Sequence, residues 1–301
     1  MAKMSRNNDY RGFNINYAVL DEIPQRIFHI KHLDSLCQVY SFATERAVAI
    51  DAVLRASKIC QKVFNNLITK DIIIKGDKTP VTIADFSAQA VINTILYKSF
   101  PNDPIVGEEN SKKLQGDRMW TVDPVDGTKG FIRGGDYAVG ISLIIDGEVH
   151  LSVIGCPNFL VNFKVPESKK GCLFIAVKGQ GAFQRSFYLD KETQIYVTDI
   201  LSPSEALICE SFVAKHPSLS KVASILGITK EPLHIDKKIW DHAPGYLLVK
   251  EAGGIVADMD NKPLDFTLGR QLKTNRRIVV AGPKIHEQVV CAVQQTITKE
   301  K

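Results

Sequence analysis

Two apolar runs, Tyr137–Ile145 and Val149–Ile154, flank the dipeptide Asp146-Gly147. An Asp-Gly connection of two residues favours positive φ at both turn positions, so the stretch is predicted as an antiparallel hairpin with a type I′ turn. No other feature restricts the fold as much, because it commits the middle of the chain to an antiparallel sheet. Leu173–Val177 followed by Lys178-Gly-Gln-Gly181 reads as a further hairpin. Before these strands the period is helical. Thr44 is placed to cap a helix whose stripe is Val48, Ala52, Ala56, Ile59 and Val63. After Ile72–Ile74 and the turn-rich Lys75–Pro80, a second helix has Ala88, Val91, Ile92, Ile95 and Leu96 on its buried face, and Pro101 and Pro104 close it. Ile105–Gly107 and Met119–Val122 are short strands. A helix over Asp241–Ala252 stops at Gly253-Gly254, a strand covers Ile278–Ala281, and a last helix starts near Pro283. Helices and antiparallel strands in layers make this an α+β chain rather than a doubly wound parallel sheet.

Residues 1–43 show no sustained period and are read as an N-terminal extension. Residues 44–155 form an N-terminal α+β region bearing the candidate metal site, and residues 156–301 a C-terminal α/β region that completes it. With 45% hydrophobic and 24% charged residues among 301, the chain is not disordered. No apolar run approaches the roughly 18 to 20 residues of a membrane span, so no membrane partner is expected. The net charge of +5 is concentrated in residues 270–301, which carry seven basic and two acidic side chains. That stretch has no aromatic residue, which argues against a nucleic-acid stripe and for a solvated face that helps attract an anionic substrate. Six cysteines lie scattered without a CxxC pair, as expected of reduced thiols in a reducing compartment. The N-terminal residues lack the apolar core of a signal peptide, which points to the cytosol. His29 and His32, near Cys37, read as surface histidines.

The placement of the acids carries the chemistry. Glu108, Asp123 and Asp126 each follow a short apolar strand, and Asp241 opens a helix. Strand ends and helix starts let side chains converge while their backbones stay rigid. Four converging carboxylates repel unless cations neutralise them, and an oxygen-only set selects a hard ion, Mg²⁺ rather than Zn²⁺. Pro124 fixes the backbone between Asp123 and Asp126, so that both carboxylates and the Val125 carbonyl can face one ion. Gly127-Thr128 then offers backbone N–H groups as a phosphate seat. A hard cation beside a phosphate seat is the equipment for phosphoryl transfer to water. Taken singly, each piece is an ordinary turn, loop or helix cap; the functional reading rests on their occurring together.

The motifs Val81-Thr-Ile-Ala-Asp85, Gly107-Glu-Glu109, Asp123-Pro-Val-Asp-Gly-Thr128, Trp240-Asp-His-Ala243 and Glu251-Ala-Gly-Gly254 resemble the Mg²⁺-dependent, lithium-sensitive phosphatases related to inositol monophosphatase. Lys129-Gly-Phe131, Ile154-Gly-Cys-Pro-Asn158, Lys178-Gly-Gln-Gly-Ala-Phe183 and the His after Trp240-Asp241 are most similar to the 3′(2′),5′-bisphosphate nucleotidases among them. The resemblance covers roughly residues 45 to 298. It implies an αβαβα layered sandwich, with Glu108, Asp123, Asp126, Asp241 and the carbonyl of Val125 as Mg²⁺ ligands. It also implies that Asp85 and Thr128 activate the attacking water. Asp126, Gly127, Thr128, His216 and Asp241 would contact the substrate, a small phosphorylated nucleotide. The implied reaction is hydrolysis of the 3′-phosphate of adenosine 3′,5′-bisphosphate, with its sulfated precursor as a second substrate, in sulfur assimilation. Two departures stand out. Only Asn110–Val122 separates the Gly-Glu-Glu and Asp-Pro motifs, where nucleotidases often carry a long insertion. From Leu233–Asp236 the chain passes directly to Lys237–Trp240, where the family has a helix and a strand with nucleotide-binding groups. The alternatives are an inositol phosphate phosphatase and a shortened relative that binds metal or phosphate without turnover.

Overall fold

The computed structural model describes residues 42–66, 72–74, 80–108, 117–162, 165, 167–206, 217–228, 239–267, 272, 274–275 and 278–298, all within one compact unit, Tyr40–Lys301. The N-terminal extension up to residue 41, His216 and the link at 233–238 lie outside the described residues.

Seven strands form one sheet: β3 (Ile105–Gly107), β4 (Arg118–Asp126), β5 (Ala138–Ile145), β6 (Glu148–Leu160), β7 (Lys170–Val177), β8 (Gly181–Ser186) and β9 (Thr193–Ile195). From β4 to β9 it is an antiparallel meander, and β3 lies parallel to β4 at one edge. The expected hairpin joins β5 to β6, with Asp146 at φ 50° and Gly147 at φ 75°, as a type I′ turn demands. β6 crosses the division drawn at residue 155, so both regions contribute to this one sheet. A two-stranded ribbon, β1 (Ile72–Ile74) with β2 (Pro80–Thr82), precedes it in sequence.

Two helices cover one face of the sheet: α1 (Ala43–Asn65) and α2 (Ile83–Ser99). Their buried residues, including Val53, Ala56, Ala88, Ile92 and Leu96, share a core with Trp120, Val122, Ile141, Leu151, Val153 and Leu173 from the strands. The approach of α1 is close: a Cβ on Gly155 would lie 2.6 Å from Ser57 Oγ and 2.7 Å from Val53 Cγ1. α1 begins one residue ahead of the expected Thr44 cap. Its N-cap is Phe42, left-handed at φ 68° and without a side-chain cap, while Glu45 in the first turn bonds Arg118 at 3.0 Å. The stripe is also rotated from the expected one. Ala52 and Ala56 are buried as expected, but Ala49, Val53, Ser57 and Cys60 are buried with them, and Val48 and Val63 are only half-buried.

After α3 (Thr128–Ile132) and α4 (Pro217–Leu226), helix α5 (Ile239–Glu251) covers the opposite face. Beyond it, β10 (Ile255–Asp258) packs on α5 and pairs antiparallel with β11 (Ile278–Ala281); β11 packs on α6 (His286–Thr298), which also touches α4. Helices, sheet, helix, small sheet, helices is the αβαβα order, with two strands in the second sheet among the described residues.

Candidate active site

The start of α2 carries one end of the site. Asp85 is fully buried, three residues after Thr82, and the two form a capping box. Thr82 Oγ1 accepts from the Ala84 N–H at 3.1 Å, while Asp85 Oδ2 accepts from the Thr82 N–H and from the Thr82 hydroxyl, each at 2.7 Å. These bonds hold the carboxylate rigid, and the N-terminus of α2 is electrostatically suited to it. Its other oxygen, Oδ1, faces Thr128 Oγ1 at 3.3 Å. The Thr128 hydroxyl has a second acceptor, the Val125 carbonyl, at 3.0 Å. One proton is thus shared between two acceptors 40 residues apart in sequence from one another. Thr128 itself follows Gly127, whose φ of 85° turns the chain from strand β4 into α3.

The second group converges from three elements. Glu108 follows edge strand β3, its N–H bonded to the Val122 carbonyl at 3.1 Å. Asp123 and Asp126 lie on β4, which the sequence pattern ends at Val122 but which continues to Asp126. The strand survives because a register shift between Asp123 and Asp126 absorbs Pro124, which has no N–H for a ladder bond, and re-pairs Asp126 with Ala138. Asp123 faces α5, on the same side as Met119. There the sheet presents small residues: a Cβ on Gly140 would lie 3.3 Å from Pro244 Cγ and 4.0 Å from Asp123 Cβ, and the Ser152 hydroxyl donates to the Ala243 carbonyl at 3.4 Å. Helix α5 therefore approaches closely enough for Asp241, in its first turn, to share a hydrogen bond with Asp123.

Asp123 is 2% exposed. Burial first, then the charges of Asp126, Glu108 and Asp241, hold its carboxyl well above the usual carboxylate range. Among the described residues no three His, Cys, Asp or Glu side chains stand close enough together to hold a metal ion as placed. One atom nevertheless tests the fit. Asp123 Oδ1 is buried and has no hydrogen-bond partner. A buried carboxylate oxygen without a donor is costly, and a facing cation removes that cost. An oxygen-only set around it fits a hard divalent ion, so these residues are compatible with one.

The family model described as the inositol monophosphatase family matches residues 43–298. The chain belongs to the inositol monophosphatase family. Enzymes of this family are in general metal-dependent. Among curated relatives, the 3′(2′),5′-bisphosphate nucleotidase of Schizosaccharomyces pombe is 37% identical over 344 aligned positions, covering 86% of this chain and 98% of the relative. That of Dictyostelium discoideum is 31% identical, covering 87% and 99%. An alignment of 344 positions is longer than this chain of 301 residues, so the relative carries stretches without a counterpart here. Of solved structures, extragenic suppressor protein suhB from Bartonella henselae superposes with TM-score 0.64 at 22% identity, over 83% of this chain and 98% of that one. The Thermotoga maritima IMPase gives the same score and identity over 84% and 97%. These likenesses establish the fold of the family for this chain.

Several residues that shape the site were not singled out by the sequence reading. Thr82 is one of them: its capping box with Asp85 fixes the carboxylate that the family resemblance already paired with Thr128. Gly140, Ser142 and Ser152 act through being small on the face under α5, and nothing in a strand pattern marks which small residues meet a helix. Asn158, quoted as part of a motif, donates to the Gly135 carbonyl at 2.8 Å and so ties the loop after α3 to β6.

Proposed function

We propose that this chain is a Mg²⁺-dependent phosphatase that hydrolyses the 3′-phosphate of adenosine 3′,5′-bisphosphate to AMP and phosphate. The observation that carries the reading is the match to proteins named 3′(2′),5′-bisphosphate nucleotidase at 30–37% identity over nearly their whole length. The family membership and the pairing of Thr128 with Asp85 support it.

In this reading Glu108, Asp123, Asp126, Asp241 and the Val125 carbonyl hold the cation. Bound there, Mg²⁺ supplies Lewis acidity toward water and the leaving oxygen. The chain's own residues do the rest. Thr128 Oγ1 accepts a proton from water only by releasing its own. Of its two acceptors, the Val125 carbonyl cannot take that proton at neutral pH, whereas the Asp85 carboxylate can. The 3.3 Å separation is longer than a strong O–H···O bond and shortens as the proton moves. The Thr82 bonds to Asp85 Oδ2 leave Oδ1 as the receiving atom. His216, outside the described residues, completes the substrate contacts in this proposal with Asp126, Gly127, Thr128 and Asp241.

Phosphate release from adenosine 3′,5′-bisphosphate in Mg²⁺, with and without millimolar lithium, tests the reading against inositol 1-phosphate at the same concentration. Lithium-sensitive turnover that is faster on the nucleotide is the expected outcome. Faster turnover of the inositol ester, or none of either by folded protein, overturns it.

A further inference from the structure

At the far end of α5 from Asp241, Glu251 makes a two-pronged contact that the reaction does not use. Its Oε1 accepts from the Gly179 N–H and its Oε2 from the Gly181 N–H, both at 2.9 Å. The two amides belong to the β7–β8 turn, where Gly179 has φ 76° and Gly181 φ 94°. The turn itself is fixed: Lys178 N–H donates to the His150 carbonyl and Gln180 N–H to the Val177 carbonyl, each at 2.9 Å. A Cβ on Gly181 would meet only the movable tip of the exposed Gln194 side chain, so it is the positive φ rather than a lack of space that calls for glycine there. The left-handed glycines aim two N–H groups at one carboxylate.

For the helix alone, Glu251 is a poor residue. A negative charge in the last turn opposes the helix dipole, where a cation is preferred. Its place is explained by charge-assisted bonds to the sheet, which are about twice as strong as neutral ones. Pro244 rests on Gly140, the Ala243 carbonyl takes a 3.4 Å bond from Ser152 and Leu247 packs in the core with Met119, Ile144 and Val149; to these contacts Glu251 adds two charge-assisted bonds that tie the last turn of the helix to the sheet. Asp241 and Glu251 are ten residues apart on one helix, about 15 Å at 1.5 Å per residue. Fixing one end along the axis fixes the other.

We infer that Glu251 is a positioning residue, which, by clamping α5 to the Gly179 and Gly181 amides, sets where Asp241 stands opposite Asp123 and so tunes cation binding. The inference rests on the phosphatase reading for the identity of the ion. The test uses the full chain carrying Glu251→Gln or Glu251→Ala, with Lys250→Ala as a control at the same helix end that leaves the carboxylate in place. Mg²⁺-dependent thermal shift without substrate gives the midpoint for metal binding; melting in EDTA gives the stability of the metal-free fold. The midpoint should rise about tenfold in Glu251→Ala, as for partners that orient ligands from outside the first coordination sphere. It should rise less in Glu251→Gln, which keeps one acceptor, and stay at the native value in Lys250→Ala. A native midpoint in either folded Glu251 variant, or an equal rise in Lys250→Ala, overturns the inference. If Glu251→Ala does not fold, Glu251→Gln decides. A native protein that shows neither a Mg²⁺ shift nor phosphate release refutes the phosphatase reading instead, and the inference falls with it.

Discussion

Asp85→Asn separates the two roles that one carboxyl group plays. The asparagine is isosteric, and its oxygen takes the place of Oδ2, accepting from the Thr82 N–H and hydroxyl across the present 2.7 Å distances. Its amide nitrogen then occupies the position of Oδ1, 3.3 Å from Thr128 Oγ1, and donates where the carboxylate accepted. The cap survives in weakened form. Two charge-assisted bonds become neutral, at about 1 kcal/mol, and the favourable charge at the N-terminus of α2 is lost, at about 0.5 kcal/mol. A loss of about 1.5 kcal/mol leaves a domain of ordinary stability folded. The proton route from Thr128 is closed altogether, which removes about 10²- to 10⁴-fold in kcat. Urea unfolding gives the first quantity, and phosphate release at saturating Mg²⁺ the second. A variant that retains more than about a third of the native rate refutes the proton-accepting role. A rate that falls only in proportion to the folded fraction would reduce Asp85 to a helix cap.

Three further outcomes follow from other parts of the molecule. Asp123 binds its proton more tightly in the fold than in the unfolded chain, so in EDTA its contribution weakens stability as pH rises through its elevated pKa. Asp123→Asn should therefore unfold at higher urea than the native protein at pH 8, with the advantage shrinking on acidification toward about pH 4, while turnover is lost; a less stable variant at pH 8 in EDTA would refute this. Gly155→Ala pushes a Cβ to 2.6 Å from Ser57 Oγ and should cost about 1–3 kcal/mol in urea unfolding. Because α1 lies across the sheet from α5, its Mg²⁺ midpoint should not change, and a shifted midpoint would show that the two faces are coupled. Burial raises the thiols of Cys156, to about 12, and Cys172, to about 11, and raises Cys60 further, whereas Cys291 is exposed. Cys291 should react readily with a thiol reagent at pH 8, the half-buried Cys156 more slowly, and Cys60 and Cys172 only on unfolding; rapid labelling of Cys60 or Cys172 in the folded protein would contradict their burial.

Much of the fold was legible because local chemistry dictated it. Asp146-Gly147 specified a turn that only one hairpin geometry accepts, and both residues adopt the positive φ it requires. Gly253, at φ 88°, ends α5 where a glycine pair was expected to. The stripe of α1 was misjudged by part of a turn because Ala49, Ser57 and Cys60 are small or weakly polar. Which small residues a helix buries depends on the surface opposite, here Gly155, and not on their own hydrophobicity. Strand β4 outran its expected end because Pro124 reads as a break, and a bulge that tolerates it is a property of the paired strand. Within the site, residue types and order identified the acids, but the sharing of Asp85 between cap and Thr128 and the seat of α5 on Gly140 depend on contacts between distant segments.

The meander has a temporal consequence. Every pairing from β4 to β9 joins neighbours in sequence, so the sheet needs only short loops to close and can form early in folding. Glu108, Asp123, Asp126 and Thr128 are then already in place on it. Asp241 is the exception: it is made more than a hundred residues later and must return to the middle of a sheet that is already built. On the ribosome, the N-terminal acids are therefore expected to stand together as a crowded, self-repelling group before their last companion emerges. Docking of α5 is the step at which that crowding becomes a finished site, and a cation present during synthesis would favour it.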